Sequence, residues 1–409
     1  MPRHLPGLQW DQDKQRYFPL HRPYQTHIEP PVPTTPRRDS LTSYRALSDL
    51  RSVCHTRHKD ALIHQIHSSQ ISLTDKTTRS TILLQGLVSA FHTVSRNGRE
   101  WRFAGDSLGW VYSSVVDTDH QGSDDTDPWQ RQYYLSSEAP SLQVSSIAVS
   151  PTTCVATSFG PESRILYIPL DSPVQGIHVS KVASRIAHDV WTSDLHGARL
   201  VLGANKQAAV IEDIAVCTSL HRLPTQSDVF ALAQSENIIY TGLRNGGIIR
   251  FDTRVQASQG YPLFDSTSQR SSSVIGLKLL HDHRLLVSFI DGRISTFDLR
   301  FPVRTPSMDF TGNFNSYTNR LPVVTDPHEN FIFAAGQDNR IRLWSLMTGG
   351  PPLPTAGMGS INQAAFERPF KHRVAALQVV EEKEGMCLWA ASGTELCKYS
   401  LGHRSGIGI

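Results

Sequence analysis

The chain has 409 residues, 39% hydrophobic and 8% aromatic, enough for several average domains or one large all-β domain. A formal net charge of +3 is too small to mark nucleic acid or an acidic membrane surface as the main partner. Five cysteines (Cys54, Cys154, Cys217, Cys387 and Cys397), with no C-x-x-C pair, argue against a disulfide framework and against a structural zinc site.

Residues 1–78 read as an extension. No apolar run approaches the ~20 residues of a membrane span, and the opening "MPRHLPGLQWDQDKQRYF" lacks a signal-peptide core, so an intracellular, soluble protein is expected. Residues 1–60 hold ten Lys/Arg against six Asp/Glu, a mildly basic arm that is best read as solvated. After a turn-like opening, the Pro-rich "IEPPVPTTPRRDS" (Ile28–Ser40) excludes regular structure and predicts an extended linker. From Ser40 to Gln70 there is neither Gly nor Pro. Leu41, Tyr44, Leu47, Leu50, Val53 and Cys54 recur at spacings of three and four, which predicts a short amphipathic helical segment over about 40–70, with Ser40 as its N-cap.

From residue 79 to 403 the pattern changes to short β segments. Seven stretches share one grammar: Trp101–Ser113, Cys154–Leu170, Arg199–Asp213, Ile238–Arg254, Arg284–Arg300, Phe331–Leu346 and Cys387–Leu401. In each, an apolar strand ends in a small residue, a polar turn follows, and a second strand alternates apolar with polar. "NG", "DG" and "DN" supply residues that tolerate positive φ in tight turns. The last bulky residues (Tyr112, Tyr167, Ile211, Phe251, Phe297, Trp344 and Tyr399) lie 40–55 positions apart, near the repeat of a four-stranded propeller blade. The Asp-rich Asp117–Trp129 is an inserted surface loop without the ligand order of a calcium site. "GQDNRIRLWSL" (Gly336–Leu346) resembles the end of a WD40 repeat, which implies an all-β, seven-bladed WD40-type β-propeller followed by a tail at 404–409.

Catalytic signatures are missing. There is no G-x-S-x-G elbow, H-E-x-x-H, Walker loop or kinase set, so a non-enzyme without cofactor or metal is expected. His281 and His283 fall in a turn, His188 and His196 flank a strand start, and Asp106 and Asp338 sit where a carboxyl would satisfy turn N–H groups.

Two blades in succession end in the same tetrapeptide, "FDTR" (Phe251–Arg254) and "FDLR" (Phe297–Arg300), forty-six positions apart. Alternation buries the phenylalanines and leaves Asp252, Arg254, Asp298 and Arg300 on one rim. This pair is similar to the double Asp-x-Arg box of the WD-repeat substrate receptors of cullin-4 ubiquitin ligases, with Phe where that family prefers Trp. The opening "LPGLQWDQDKQRYFPL" (Leu5–Leu20) and the last two repeats also resemble this family. The resemblance implies a non-catalytic receptor, nuclear and/or cytoplasmic and monomeric within a larger complex. It would dock on the ligase adaptor, the large subunit of the UV-damaged-DNA-binding protein, through Asp252, Arg254, Asp298 and Arg300. It also implies that segment 40–70 contributes to docking and that an unidentified substrate is presented for ubiquitylation, with no membrane or direct nucleic-acid contact. The competing expectation is a generic WD40 scaffold, for example in chromatin or RNA processing, in which the arginines merely brace turns.

Overall fold

A computed structural model describes residues 8–11, 16–19 and 64, and the stretch 77–401 except for 97, 118–128, 136–142, 172–175, 217–219, 256–259, 265–271, 302–304, 317–320, 354–365, 367 and 383–384. The Pro-rich linker, nearly all of the predicted helix at 40–70, most of the Asp-rich loop and the 404–409 tail lie outside the described residues. The chain divides into two compact units, Met1–Asp60 and Ala61–Ile409. In the first, strands β1 (Leu8–Asp11) and β2 (Arg16–Pro19) form an antiparallel hairpin, Leu8 opposite Pro19 and Asp11 opposite Arg16. In the second, every described strand belongs to one of seven antiparallel sheets, arranged as the blades of a seven-bladed propeller.

Blades one to six follow chain order, with inner strands Val88–Arg96, Val144–Val149, Thr192–His196, Val229–Gln234, Val274–Leu280 and Val323–Thr325. Blade seven begins at Val374–Glu382, and its fourth, outer strand comes from the other end of the propeller: β3 (Thr77–Thr81) pairs with Glu395–Ser400, Thr77 opposite Tyr399. Blade six has three strands among the described residues.

Blade sheets are buried on both faces, and their second strands carry runs such as Thr153–Ser158 and Phe331–Ala335 with every residue buried. The core is correspondingly divided into seven apolar clusters among the described residues, each joining two adjacent blades. Blades four and five, for example, share Ala231, Tyr240, Val287 and Phe297. Blades five and six share Leu286, Phe310, Ile332 and Trp344. The cluster of Phe91 and Ala104 with Trp389 and Leu396 joins blade one to blade seven and closes the ring. Closure removes the free sheet edges that an open array would present.

All seven bulky residues aligned from sequence lie on third strands. Six are buried and Tyr167 is half-buried. Trp344 also donates its indole N–H to the Thr311 carbonyl at 2.8 Å. The turn residues behave as their types predict: Gly246, Gly292 and Asn339 have φ of +85°, +89° and +59°.

Strand direction defines two rims. Inner strands start, and second strands turn into third strands, at what is here the upper rim; Val88 lies opposite Asp106. Third strands end at the lower rim, where Asp117 lies opposite Arg99.

Candidate functional site: an arginine rim

Asp252 and Asp298 are the last residues of the third strands Ile248–Asp252 and Ile294–Asp298, so both tetrapeptides sit on the lower rim of adjacent blades four and five. Their geometry is the same. The chain beyond the strand is held by a backbone bond to the turn below, Thr253 N–H to the Asn237 carbonyl at 2.9 Å and Leu299 N–H to the His283 carbonyl at 2.8 Å. Arg254 donates its backbone N–H and Nε–H to Asp252 Oδ1 at 3.0 and 2.9 Å, and Nη2–H to Oδ2 at 2.7 Å. Arg300 repeats all three bonds to Asp298 at 3.0, 3.0 and 2.6 Å. Each carboxylate therefore binds its arginine bidentately and caps the turn as well.

These clamps face solvent. The Arg254 and Arg300 side chains are 67% and 59% exposed. A guanidinium has five N–H donors and the carboxylate occupies two, which leaves three directed outward on a side chain whose rotamer is already fixed. The arginine hydrogen bonds are the main cause of a lowered aspartate pKa, to about 2 for Asp252 and further for Asp298, and both arginines shift upward in return. Each clamp is followed directly by an exposed apolar residue, Val255 at 58% and Phe301 at 66%, and the Arg300 guanidinium lies 5.9 Å from the Phe301 ring centre. Val216 in blade three and Met347 in blade six, also beyond third strands, are exposed too. Cations paired with apolar side chains on a rigid frame make a surface suited to a protein partner.

Blade six alters the pattern. Leu346 N–H still bonds the Asn330 carbonyl at 2.8 Å, but Ser345 and Met347 replace the Asp and Arg. Ser345 Oγ accepts the backbone N–H groups of Met347 and Thr348, both at 3.1 Å, and lies 2.7 Å from His64 Nε2. With both acceptor positions used, the hydroxyl proton points at Nε2, which fixes His64 as an Nε2 acceptor. The imidazole is buried and stacks on Phe331 with centroids 4.9 Å apart. Sequence reading missed this residue, because its contact partners lie 267 and 281 positions away.

The other singled-out residues have local partners. Asp106 is fully buried and accepts from the N–H groups of Gly86, Leu108 and Trp110 and from the Tyr112 hydroxyl. Asp338 accepts the turn N–H of Arg340, as expected, and its carboxylate is also held bidentately by Arg342, at 2.9 and 2.6 Å, because the alternating third strand returns that side chain alongside the turn. His281 pairs with Glu329 at 2.9 Å and His188 with Asp189 at 3.1 Å. Among the described residues, no group of three or more His, Cys, Asp or Glu is placed to hold a metal. No helix among them is long and apolar enough to cross a membrane.

No protein-family model matches the chain. Among solved structures it resembles the WD40 β-propeller domain of Doa1, with a TM-score of 0.55, 13% identity and coverage of 80% of this chain and 96% of that one. The Cps50 (Swd1) β-propeller domain from Myceliophteria thermophila matches with the same TM-score and identity, over 80% of this chain and 99% of that one. These likenesses speak to fold alone. In sequence, human DDB1- and CUL4-associated factor 4 is 31% identical over 125 residues, 30% of this chain and 24% of that protein. Human DDB1- and CUL4-associated factor 4-like protein 2 is 28% identical over 162 residues, 39% of this chain and 40% of that protein. The chain is a WD40-type propeller, similar in part of its sequence to DDB1- and CUL4-associated factor 4. A WD-repeat protein of Caenorhabditis elegans is also similar, 33% identical over 113 residues, 28% of this chain and 20% of that protein. The matches thus span 20–40% of these relatives' own lengths. What this propeller shares with them is part of its sequence.

Proposed function

We propose that the protein is a non-catalytic substrate receptor of a cullin-4 RING ubiquitin ligase, acting inside the cell in the nucleus and/or cytoplasm. It docks on the DDB1 adaptor through the lower rim and leaves the upper rim for a protein to be ubiquitylated. The observation that carries this reading is the repeated clamp: two arginines, pre-oriented by Asp252 and Asp298 on neighbouring blades, each beside an exposed apolar residue. Ordering a free arginine at an interface costs about 0.5–1.5 kcal/mol, and the clamp removes much of that cost before binding. The relatives' names, which specify association with DDB1 and CUL4, favour the same partner. Segment 40–70 would add to docking, as the resemblance to the receptor family implies.

The competing reading is a generic WD40 scaffold, and the intramolecular character of the clamps favours it, since each arginine braces its own turn. Charge reversal separates the two. Arg254→Glu with Arg300→Glu should leave thermal unfolding unchanged and reduce capture of purified adaptor at least about tenfold, as loss of interface arginine anchors does. Undiminished capture by a folded double variant would leave only the scaffold.

A further inference from the structure

The connection that leaves blade five on the lower rim carries chemistry that the arginine clamp does not use. It reads "FPVRTPSMDF" (Phe301–Phe310), in which Thr305 is followed by Pro306. Four Ser/Thr-Pro dipeptides occur in the chain, beginning at Thr35, Ser150, Ser172 and Thr305. Thr35 and Ser172 lie outside the described residues. Ser150 is buried and its hydroxyl donates to the Thr153 carbonyl, which closes it to a modifying enzyme. Thr305 and Pro306 are both exposed. Pro306 stands on the approach to an outer strand, where a missing N–H is tolerated. That accounts for the proline, but not for the exposed hydroxyl before it.

Position gives this hydroxyl a consequence. Met308 pairs with Thr296, and Ser307 is fixed to the same residue, its N–H and Oγ–H both donating to the Thr296 carbonyl at 2.8 and 2.9 Å. Thr305 lies two residues before Ser307, and Asp298 lies two residues after Thr296. The antiparallel course therefore carries Thr305 to the strand end where Asp298 holds Arg300. At the ~4.8 Å spacing of paired strands, an arginine side chain spans that gap. Asp298 takes two of the five guanidinium N–H groups of Arg300, so three remain for a second anion.

We propose that Thr305 is a phosphorylation site for a proline-directed kinase, and that its phosphate is held by Arg300. The Thr305 hydroxyl oxygen attacks the γ-phosphorus of ATP. The bond to the leaving ADP breaks, and the hydroxyl proton passes to the kinase's base. A residue before proline is driven to an extended conformation, the form in which such a kinase accepts its substrate. The product carries a charge of about −1.5 to −2 and three strong acceptor oxygens. It would occupy the outward donors of Arg300 and reverse the local charge of the docking rim. Blade four has no such device, since Val255–Gly260 after Arg254 contains no Ser/Thr-Pro step. Only the effect on docking rests on the receptor reading; the modification and its arginine contact do not.

The test uses full-length protein with Thr35→Ala and Ser172→Ala, which leaves Thr305 and the buried Ser150, incubated with a purified proline-directed kinase and magnesium ATP. Mass spectrometry should find one phosphate, on Thr305, and none after Pro306→Ala. Phosphorus NMR should place the second pKa of the phosphothreonine below its usual value of about 6. In Arg300→Ala it should rise to that value or above, and in Arg254→Ala it should stay where it was. Capture of purified adaptor should weaken at least about tenfold on phosphorylation and recover after phosphatase treatment. If the unmodified protein captures no adaptor, the receptor reading alone fails, because the mapping and the titration judge the site without the adaptor. No phosphate on Thr305, a titration indifferent to Arg300→Ala, or capture that phosphorylation leaves undiminished would overturn the inference.

Discussion

Two kinds of aspartate divide the labour in this propeller. Asp106 in blade one is sealed from solvent and spends its carboxyl on three backbone N–H groups and the Tyr112 hydroxyl, tying the approach to the first inner strand to the hairpin beside it. Asp252 and Asp298 stand at the opposite rim and spend theirs on a turn N–H and the arginine two residues on. Both kinds cap turns, and burial decides what the capping is for. Inside, an unmet donor is expensive, so the carboxyl serves the fold. At the surface water would meet those donors anyway, so the carboxylate's distinctive effect is to aim a cation.

The contrast can be broken most forcefully at Asp106. Asp106→Ala leaves four donors unmet, three of them on buried or half-buried residues, and should cost about 3–5 kcal/mol, read as a lowered urea midpoint with unchanged slope. Asp106→Asn, which keeps one acceptor oxygen, should fall between that variant and the parent. A smaller effect is expected from Asp252→Ala with Asp298→Ala. Urea unfolding should stay at the parental midpoint, while affinity for the adaptor falls about tenfold because both arginines lose their fixed rotamer. Similar stability losses in the two experiments would erase the distinction.

The smallest effect is with pH. The Arg254 hydrogen bonds depress the Asp252 pKa from 3.8 to about 2. A depressed carboxylate pKa contributes stability that is fully present above the unfolded value and is lost only as pH falls through the folded one. The clamp should therefore give adaptor binding no pH dependence between pH 5 and 8. Carboxyl NMR should place the Asp252 midpoint near 2, moving back toward 3.8 in Arg254→Ala.

Much of this was legible in the chain because propeller repeats are local. Each hairpin writes its own alternation, and "NG" and "DG" mark turns whose glycines do adopt positive φ. The tetrapeptides were visible for the same reason, since clamp and turn lie within four residues. What stayed hidden is assembled across the ring. The closing strand "TTRST" has neither alternation nor an apolar residue, because as the outermost strand it contributes little to the core. The upper mouth of the central channel takes Phe159, Trp191 and Arg373 from three blades, so no sequence window contains it. His64 falls within the predicted helical run, but its seat on Phe331 and Ser345 is fixed only when blade six is in place.

The pairing of Thr77 with Tyr399 also has a consequence in time. The two residues are 322 positions apart. At ordinary synthesis rates of about 5–20 residues per second, β3 leaves the ribosome roughly 15–65 s before the strand it will join. For that interval the first segment of the propeller is an unpaired edge, and six blades can form in order while the ring stays open. Late closure makes the last blade a checkpoint. A chain halted before residue 395 keeps most of its blades but has nothing for β3 to pair with, and its exposed strand edge would mark it for chaperones or proteolysis.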